Sequence, residues 1–180
     1  RLLNDVGDNP DQLPILQHAL MRTWEHWQTH RRNGDPIGIE HYEAIGTMSH
    51  ALSRHADEAF NELPDKRSRV IAEQLFKALS ERGADNREIR RPTRVSEIAA
   101  IAEATPAEII AVIEPFRQQG RSFLMPPASV VLDENSLIDI SHESLIRGWT
   151  RLLKWVDEGH GLMVLGGYFS FGEKGFRGTP

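Results

Sequence analysis

The chain of 180 residues contains no cysteine, which excludes disulfide bonds and thiolate metal sites. It has no apolar run near the ~20 residues that a membrane-spanning helix needs, and its start lacks the apolar core of a signal peptide. A basic excess is also missing, because 26 acidic residues stand against 21 basic ones and give a formal net charge of −5. We therefore expect a cytoplasmic protein without a membrane partner and without a general electrostatic attraction to nucleic acid.

A self-contained catalytic constellation is absent as well. There is no Gly-x-Ser-x-Gly nucleophile elbow, and the carboxylates are scattered over predicted helix surfaces. Gly167 and Gly172 have the spacing of the two glycines in a phosphate-binding loop. However, Glu173 lies before Lys174, and Gly175 follows this lysine where a magnesium-binding hydroxyl would be needed. His26 and His30 lie four apart on one predicted helix, yet no third metal ligand is evident nearby. We expect no catalytic residue and no metal site in this chain.

Hydrophobic residues recur at helical spacing through most of the chain, which predicts a mainly α-helical protein. Residues 1–64 are expected to form a small helical bundle of three helices, over residues 13–31, 39–45 and 48–63. Pro14 suits the first turn of the first helix, where a missing N–H leaves no bond unmade. One apolar face is predicted on that helix from Leu13, Leu16, Leu20, Trp24 and Trp27.

Residues 65–158 have the element order of a winged-helix domain, which is three helices followed by a short β-hairpin. The helices are predicted over 66–82, after Ser96, and after the capping box that Thr105 and Glu108 form. The strands are expected within 122–127, over 130–132 and over 137–140, and a further helix over 142–158. The glycine-rich residues 159–180 are predicted to be a flexible tail.

The stretch from Ile140 to Trp149 combines a strand end with the start of that last helix. Ser141 is the expected N-cap, and His142 is expected in the first helical turn. Free backbone N–H groups at a helix start attract an anion, so His142 beside them could contact a phosphate. From the residues alone, a capping or packing role for His142 is the favoured interpretation, and the phosphate contact is the alternative.

Several segments together resemble the C-terminal half of a STAND-class P-loop ATPase, a class of signal-transduction ATPases with numerous domains. The similarity is greatest to the bacterial type that is often fused to β-propeller repeats. The matching segments are residues 11–20 with the Leu13-Pro14 helix start, 42–46, 51–56, 120–124 and 140–146. Their order and spacing extend the resemblance over residues 9–158.

This resemblance implies a nucleotide switch. A helical and a winged-helix domain would close over ADP or ATP bound by an upstream P-loop core, which has no counterpart in these residues. By position, Pro14 would lie near the adenine, and His142 would contact the β-phosphate of ADP. The chain, which starts without methionine and reads as part of a longer polypeptide, would regulate rather than catalyse. It would relay the nucleotide state to a downstream effector or repeat domain. Activation could also involve oligomerisation.

Two other functions stay open at this point. A winged helix often binds DNA through its third helix, but here that helix carries Glu108 and Glu114 against a single Arg117. A duplex favours lysine and arginine on the docking surface, so DNA binding is disfavoured, with the basic run at residues 87–94 as the exception. The third function is that of a purely structural interaction module, in which His142 only caps a helix.

Overall fold

The computed structural model describes residue 5 and residues 12–32, 34–82 and 88–158. The fold is mainly helical with small antiparallel sheets, so the predicted α class is confirmed. The helices are α1 (Leu13–His30), α2 (Ile39–Ala44), α3 (Thr47–Asn61), α4 (Lys66–Ala78), α5 (Val95–Ile101), α6 (Pro106–Arg117), α7 (Glu143–Gly148) and α8 over residues 150–158. Across these ranges, no helix has the length and apolar character needed to cross a membrane. The predicted tail over residues 159–180, and residues 167–174 within it, lie outside the described residues.

Two small sheets accompany the helices. They contain the antiparallel pair β1 (Ser80–Arg82) and β2 (Glu88–Arg90), and the three-stranded order β3 (Thr93–Arg94), β5 (Leu137–Ile140) and β4 (Leu124–Met125). The strands predicted within residues 122–127 and over 137–140 are present as β4 and β5, and in the structure these two strands pair with each other. The predicted strand over 130–132 is wrong, because both edges of β5 are already occupied by β3 and β4.

The helix predicted over 66–82 ends early, and the helix predicted over 142–158 is broken. The chain leaves α4 at Ala78 because β1 pairs with β2 instead of continuing the helix. The second interruption is at Trp149, whose backbone is extended, with φ −88° and ψ 103°. This break lets the indole turn into the core, where it is fully buried and its Nε1–H donates to Asp57 Oδ1 on α3 at 3.0 Å.

The main core is an aromatic cluster around Trp149. Its ring centroid lies 4.9 Å from Phe76, 5.4 Å from Trp155, 6.0 Å from Phe116 and 6.5 Å from Phe60. These rings come from α3, α4, α6 and α8, so α3 shares one hydrophobic core with the elements that follow it. The division predicted between residues 64 and 65 stays a prediction.

Helix α1 packs differently from the expectation for an apolar helical face, which normally covers the core. Its fully buried side chains are the small ones of Ala19 and Thr23, whereas Leu13 is 59% exposed, Leu20 45% and Trp24 47%. Small side chains let α1 approach a second cluster, formed with Tyr42, Ile45, Met48 and Ala51 of the α2–α3 region. The three large exposed side chains are called the exposed apolar face of α1 below.

Replacing Trp149 with alanine should destabilise the chain by about 3–5 kcal/mol, since a large buried aromatic is lost and a cavity remains. Urea unfolding followed by circular dichroism measures this change. The matched control is Trp24→Ala, which removes the same side chain from a half-exposed position on α1. We expect less than about 1 kcal/mol for the control, and equal losses for the two variants would contradict the role given to Trp149.

Candidate functional site

A cleft of about 310 Å³ lies between α1 and the start of α7, within the usual size range of small-ligand sites. Pro14 and His142, the two residues predicted to contact a nucleotide, both line it. Their neighbours in the lining include Gln17 and His18 of α1 and Arg121 of the loop after α6. The fold therefore brings the two predicted residues to one cavity, although they lie near opposite ends of the described chain.

His142 occupies a slightly different position from the one predicted. It is itself the N-cap residue of α7, with extended φ −144° and ψ 138°, and the predicted N-cap Ser141 lies one residue before it. The His142 carbonyl accepts from the Leu145 N–H at 3.0 Å, but the imidazole makes no capping hydrogen bond. The side chain is exposed at the edge of the cleft. Side-chain capping, the alternative role considered above, is therefore not used in this structure.

Pro14 lies in the first turn of α1, as predicted, and is half-buried. This end of the helix is held by Ile15 and Leu16, which pack against the second cluster. That cluster is fixed in turn by the Tyr42 hydroxyl, which accepts from the Met48 N–H at 2.9 Å. The apolar ring of Pro14 is thus presented to the cleft by a helix end that packing orients.

A tight loop between α6 and β4 also lines the cleft. Its backbone folds back on the helix end, because the Arg121 and Ser122 N–H groups both donate to the Gln118 carbonyl, at 3.0 and 3.2 Å. Gly120 and Ser122 both have positive φ, +88° and +48°, and only the glycine adopts such a conformation without strain. Strained residues that persist often border functional sites, and Ser122 lines this cleft.

Arg121 supplies a fixed positive charge in this loop. Its Nη1 donates to Glu62 Oε2 at 2.7 Å and to the Pro115 carbonyl at 3.0 Å, and its Nη2 donates to Glu62 Oε1. The pair lowers the pKa of the Glu62 carboxyl and raises that of the Arg121 guanidinium, mainly through these hydrogen bonds. The side chain of Arg121 is only 13% exposed, so solvent screens it less than a surface arginine.

A neutral histidine pair connects the cleft, which His18 lines, with the buried His55 behind it. His18 Nε2 lies 3.2 Å from His55 Nδ1, and the ring of Phe123 packs against both. Burial, together with a smaller effect of the positive charge of Arg22, lowers the pKa of His18 to about 4 and that of His55 to about 2. Both imidazoles are therefore uncharged at neutral pH, in contrast to Arg121.

His26, His30 and His41 lie close together on α1 and α2. His26 Nδ1 lies 3.1 Å from His41 Nδ1, and the rings of His26 and His30 stack at 4.1 Å. Within the described ranges, no group of three or more histidine or carboxylate residues could hold a metal ion. The sequence spacing of His26 and His30 therefore reflects ring stacking, and the additional partner His41 had no local sequence signal.

The surface considered for DNA offers little accessible positive charge. Arg117 is 3% exposed, and its guanidinium donates to Glu114 and to the carbonyls of Pro126 and Pro127. The basic run is also engaged, since Arg90 pairs with Asp139 at 2.8 Å and Arg91 with Glu97 at 2.8 Å. These contacts do not favour the DNA-binding alternative.

Comparison with known proteins gives one result. The sequence model of a family described as Novel STAND NTPase 1 matches residues 1–166. No curated protein and no solved structure matches the chain. The matched range includes every described helix and strand and all residues of the cleft.

The histidine pair should make stability depend on pH between about 6.5 and 4. Below pH 6.5 the unfolded chain gains protons on both histidines, whereas the folded chain excludes them down to about pH 4 at His18 and lower at His55. Stability is therefore complete above pH 6.5 and falls as the pH drops through this window, by roughly 1 kcal/mol per pH unit for each histidine.

Urea titrations at pH 7 and pH 4.5 measure this dependence. His55→Asn should reduce the loss, because a side chain that cannot be protonated takes the buried position. His50→Asn is the matched control on the exposed side of α3, and it should retain most of the loss. Equal pH dependence in His55→Asn and the unaltered chain would show that other groups cause it.

Proposed function

The chain belongs to the Novel STAND NTPase 1 family, and from this premise we propose that it is the nucleotide-sensing regulatory part of a STAND ATPase. It closes over ADP or ATP that an upstream P-loop core binds, and it relays the nucleotide state to a downstream effector or repeat domain of the same polypeptide. It does not hydrolyse ATP by itself. The observation that carries the proposal is the presence of Pro14 and His142 in one cleft.

The chemistry of the cleft fits a nucleotide. On one side Pro14 and Met21 offer apolar surface, which suits the flat face of a base. On the other side Arg121 and His142 bring nitrogen donors, which suit phosphate oxygens. Small-ligand sites commonly combine apolar walls with a few convergent polar groups. The cleft then contributes half of a site, and the upstream core contributes the rest.

The switch needs a difference in affinity between two states. A ligand shifts a conformational equilibrium only by the amount that it binds one state more tightly than the other. A charge-assisted hydrogen bond from His142 to a diphosphate, worth about 1.5–3 kcal/mol, biases the closed state by about tenfold or more. Exchange of ADP for ATP alters that contact and releases the closed arrangement. Activation in the cytoplasm, with or without oligomerisation, follows from this release.

The domain organisation of the proposal is a helical domain over residues 1–64 and a winged helix over residues 65–158. Support for the winged helix comes from α4, α5 and α6, which precede the antiparallel pair β4 and β5. The strand β3 adds to the other edge of β5 and joins the sheet to the start of α5. Here the winged helix serves as a wall of the nucleotide site.

The exposed apolar face of α1 is where we expect the upstream core to pack. Leu13, Leu20 and Trp24 lie along one strip of the helix, next to the strip that carries Pro14 and Met21 into the cleft. A core that covers the cleft would therefore also cover this face. Covering it would remove from water an apolar patch that isolated proteins seldom expose.

Changing His142 to alanine in the full-length protein should release ADP about tenfold faster or more, because one charge-assisted contact to phosphate is lost. A fluorescent ADP analogue, chased with unlabelled nucleotide, measures the release rate. His50→Ala is the matched control, since this exposed histidine on α3 does not line the cleft. If His142→Ala and His50→Ala both release ADP at the unaltered rate, the proposed switch is wrong.

Replacing Leu20 or Trp24 with serine should also speed ADP release, since each side chain contributes about 1.5–3 kcal/mol when it is fully buried against a partner. The stability of the isolated chain should hardly change, because both positions are half-exposed there. Val70→Ser is the control, an exposed apolar residue on α4 that lies outside the cleft. Unchanged release in both α1 variants would mean that the core packs elsewhere.

A further inference from the structure

Building on the proposed function, we infer that Arg121 is a second anion-binding residue of the cleft and that Glu62 controls how strongly it binds. The guanidinium lines the same cavity as His142 but belongs to a different segment, the loop after α6. A nucleotide phosphate in the cleft would then be contacted by side chains from two separate segments of the chain. The inference goes beyond the family resemblance, which assigns a nucleotide contact only to Pro14 and His142.

The hydrogen bonds of Arg121 leave donors free for a ligand. A guanidinium has five N–H donors, and three of them are used by the Glu62 carboxylate and the Pro115 carbonyl. Within the part of the chain that the structure describes, the Nε–H and the second Nη2–H have no hydrogen-bond partner. Because Glu62 and Pro115 fix the plane of the fork, these two donors are held in place before a ligand arrives.

The charges around Arg121 show which group competes with an anion for its guanidinium. His18 is kept neutral by burial, so it adds no positive charge. Three carboxylates act on the Arg121 guanidinium, those of Glu62, Glu58 and Glu25, and the latter two also pair with Arg22. Glu62 is therefore the main counter-charge of Arg121 and the main competitor of an incoming phosphate.

This arrangement predicts opposite effects for the two members of one ion pair. Removing the Arg121 charge should weaken the hold on a phosphate, whereas removing the Glu62 charge should strengthen it, since the guanidinium loses its competing anion. A pair that only stabilises the fold behaves differently. Removing either partner of a structural pair loosens the loop. Both changes would then weaken nucleotide binding and speed the release of ADP.

The test uses the full-length protein loaded with fluorescent ADP and chased with unlabelled ADP. Arg121→Gln should release the label about tenfold faster or more, as expected for a lost charge-assisted contact. Glu62→Gln should release it about threefold more slowly, the effect of removing one screened unit charge several ångströms from the anion. Arg91→Gln is the matched control, because this exposed arginine also pairs with a glutamate but lies outside the cleft, and it should release at the unaltered rate.

Further variants make the outcome decisive. If Arg121→Gln does not fold, Arg121→Lys keeps the charge without the fork and should release at a rate between those of the unaltered protein and His142→Ala. Faster release in both Arg121→Gln and Glu62→Gln would overturn the inference in favour of a structural pair. If His142→Ala speeds release while both Arg121 variants leave it unchanged, the inference fails alone. If none of these variants alters release, the proposed function fails with it.

Discussion

The burial of Trp149 is the constraint on which the rest of this structure depends. Its indole fills the space between four helices, and its Nε1–H binds Asp57, which also accepts from the Arg151 Nε at 2.8 Å. A buried indole N–H without a partner would be costly, so α3 has to present Asp57 at this point. The direction in which the chain leaves α7 is therefore tied to α3 through this hydrogen bond.

Helix α3 supports both walls of the cleft. Leu52 lines the cavity, and a Cβ at Gly148 of α7 would meet its Cδ2 at 2.9 Å, so a larger residue at this position would push the Leu52 side chain aside. The same helix carries His55 towards α1 and ends beside Glu62, the partner of Arg121. Because the two walls rest on one helix, the cleft should keep its shape, and in the switch that we propose the whole unit would move against the upstream core.

The sequence predicts what is local here and misses what is long-range. Hydrophobic period and the Thr105 capping box predict the helices, since both signals lie within one or two turns. The exposed side of α1 could not be predicted, because an apolar pattern does not say whether this chain or another covers it. The strands β1–β3 are short and polar, so they carry little strand pattern. His142 stands out from its place at a predicted helix start, whereas the nucleotide contact expected of Pro14 rests on the family resemblance alone. The pairs of His18 and Arg121 span 37 and 59 residues without any local signal.

The pairing of His18 with His55 determines whether the free ring nitrogen of His18 is a hydrogen-bond donor or an acceptor for a ligand. With both rings neutral, a single proton occupies the 3.2 Å gap between His55 Nδ1 and His18 Nε2, so the tautomers of the two rings are coupled. If His55 supplies that proton, the other nitrogen of His18 carries a hydrogen and is a donor. If His18 supplies it, that nitrogen is bare and is an acceptor. A ligand that forms a hydrogen bond only with His18 would therefore also select the tautomer of His55, a buried ring that the ligand does not contact.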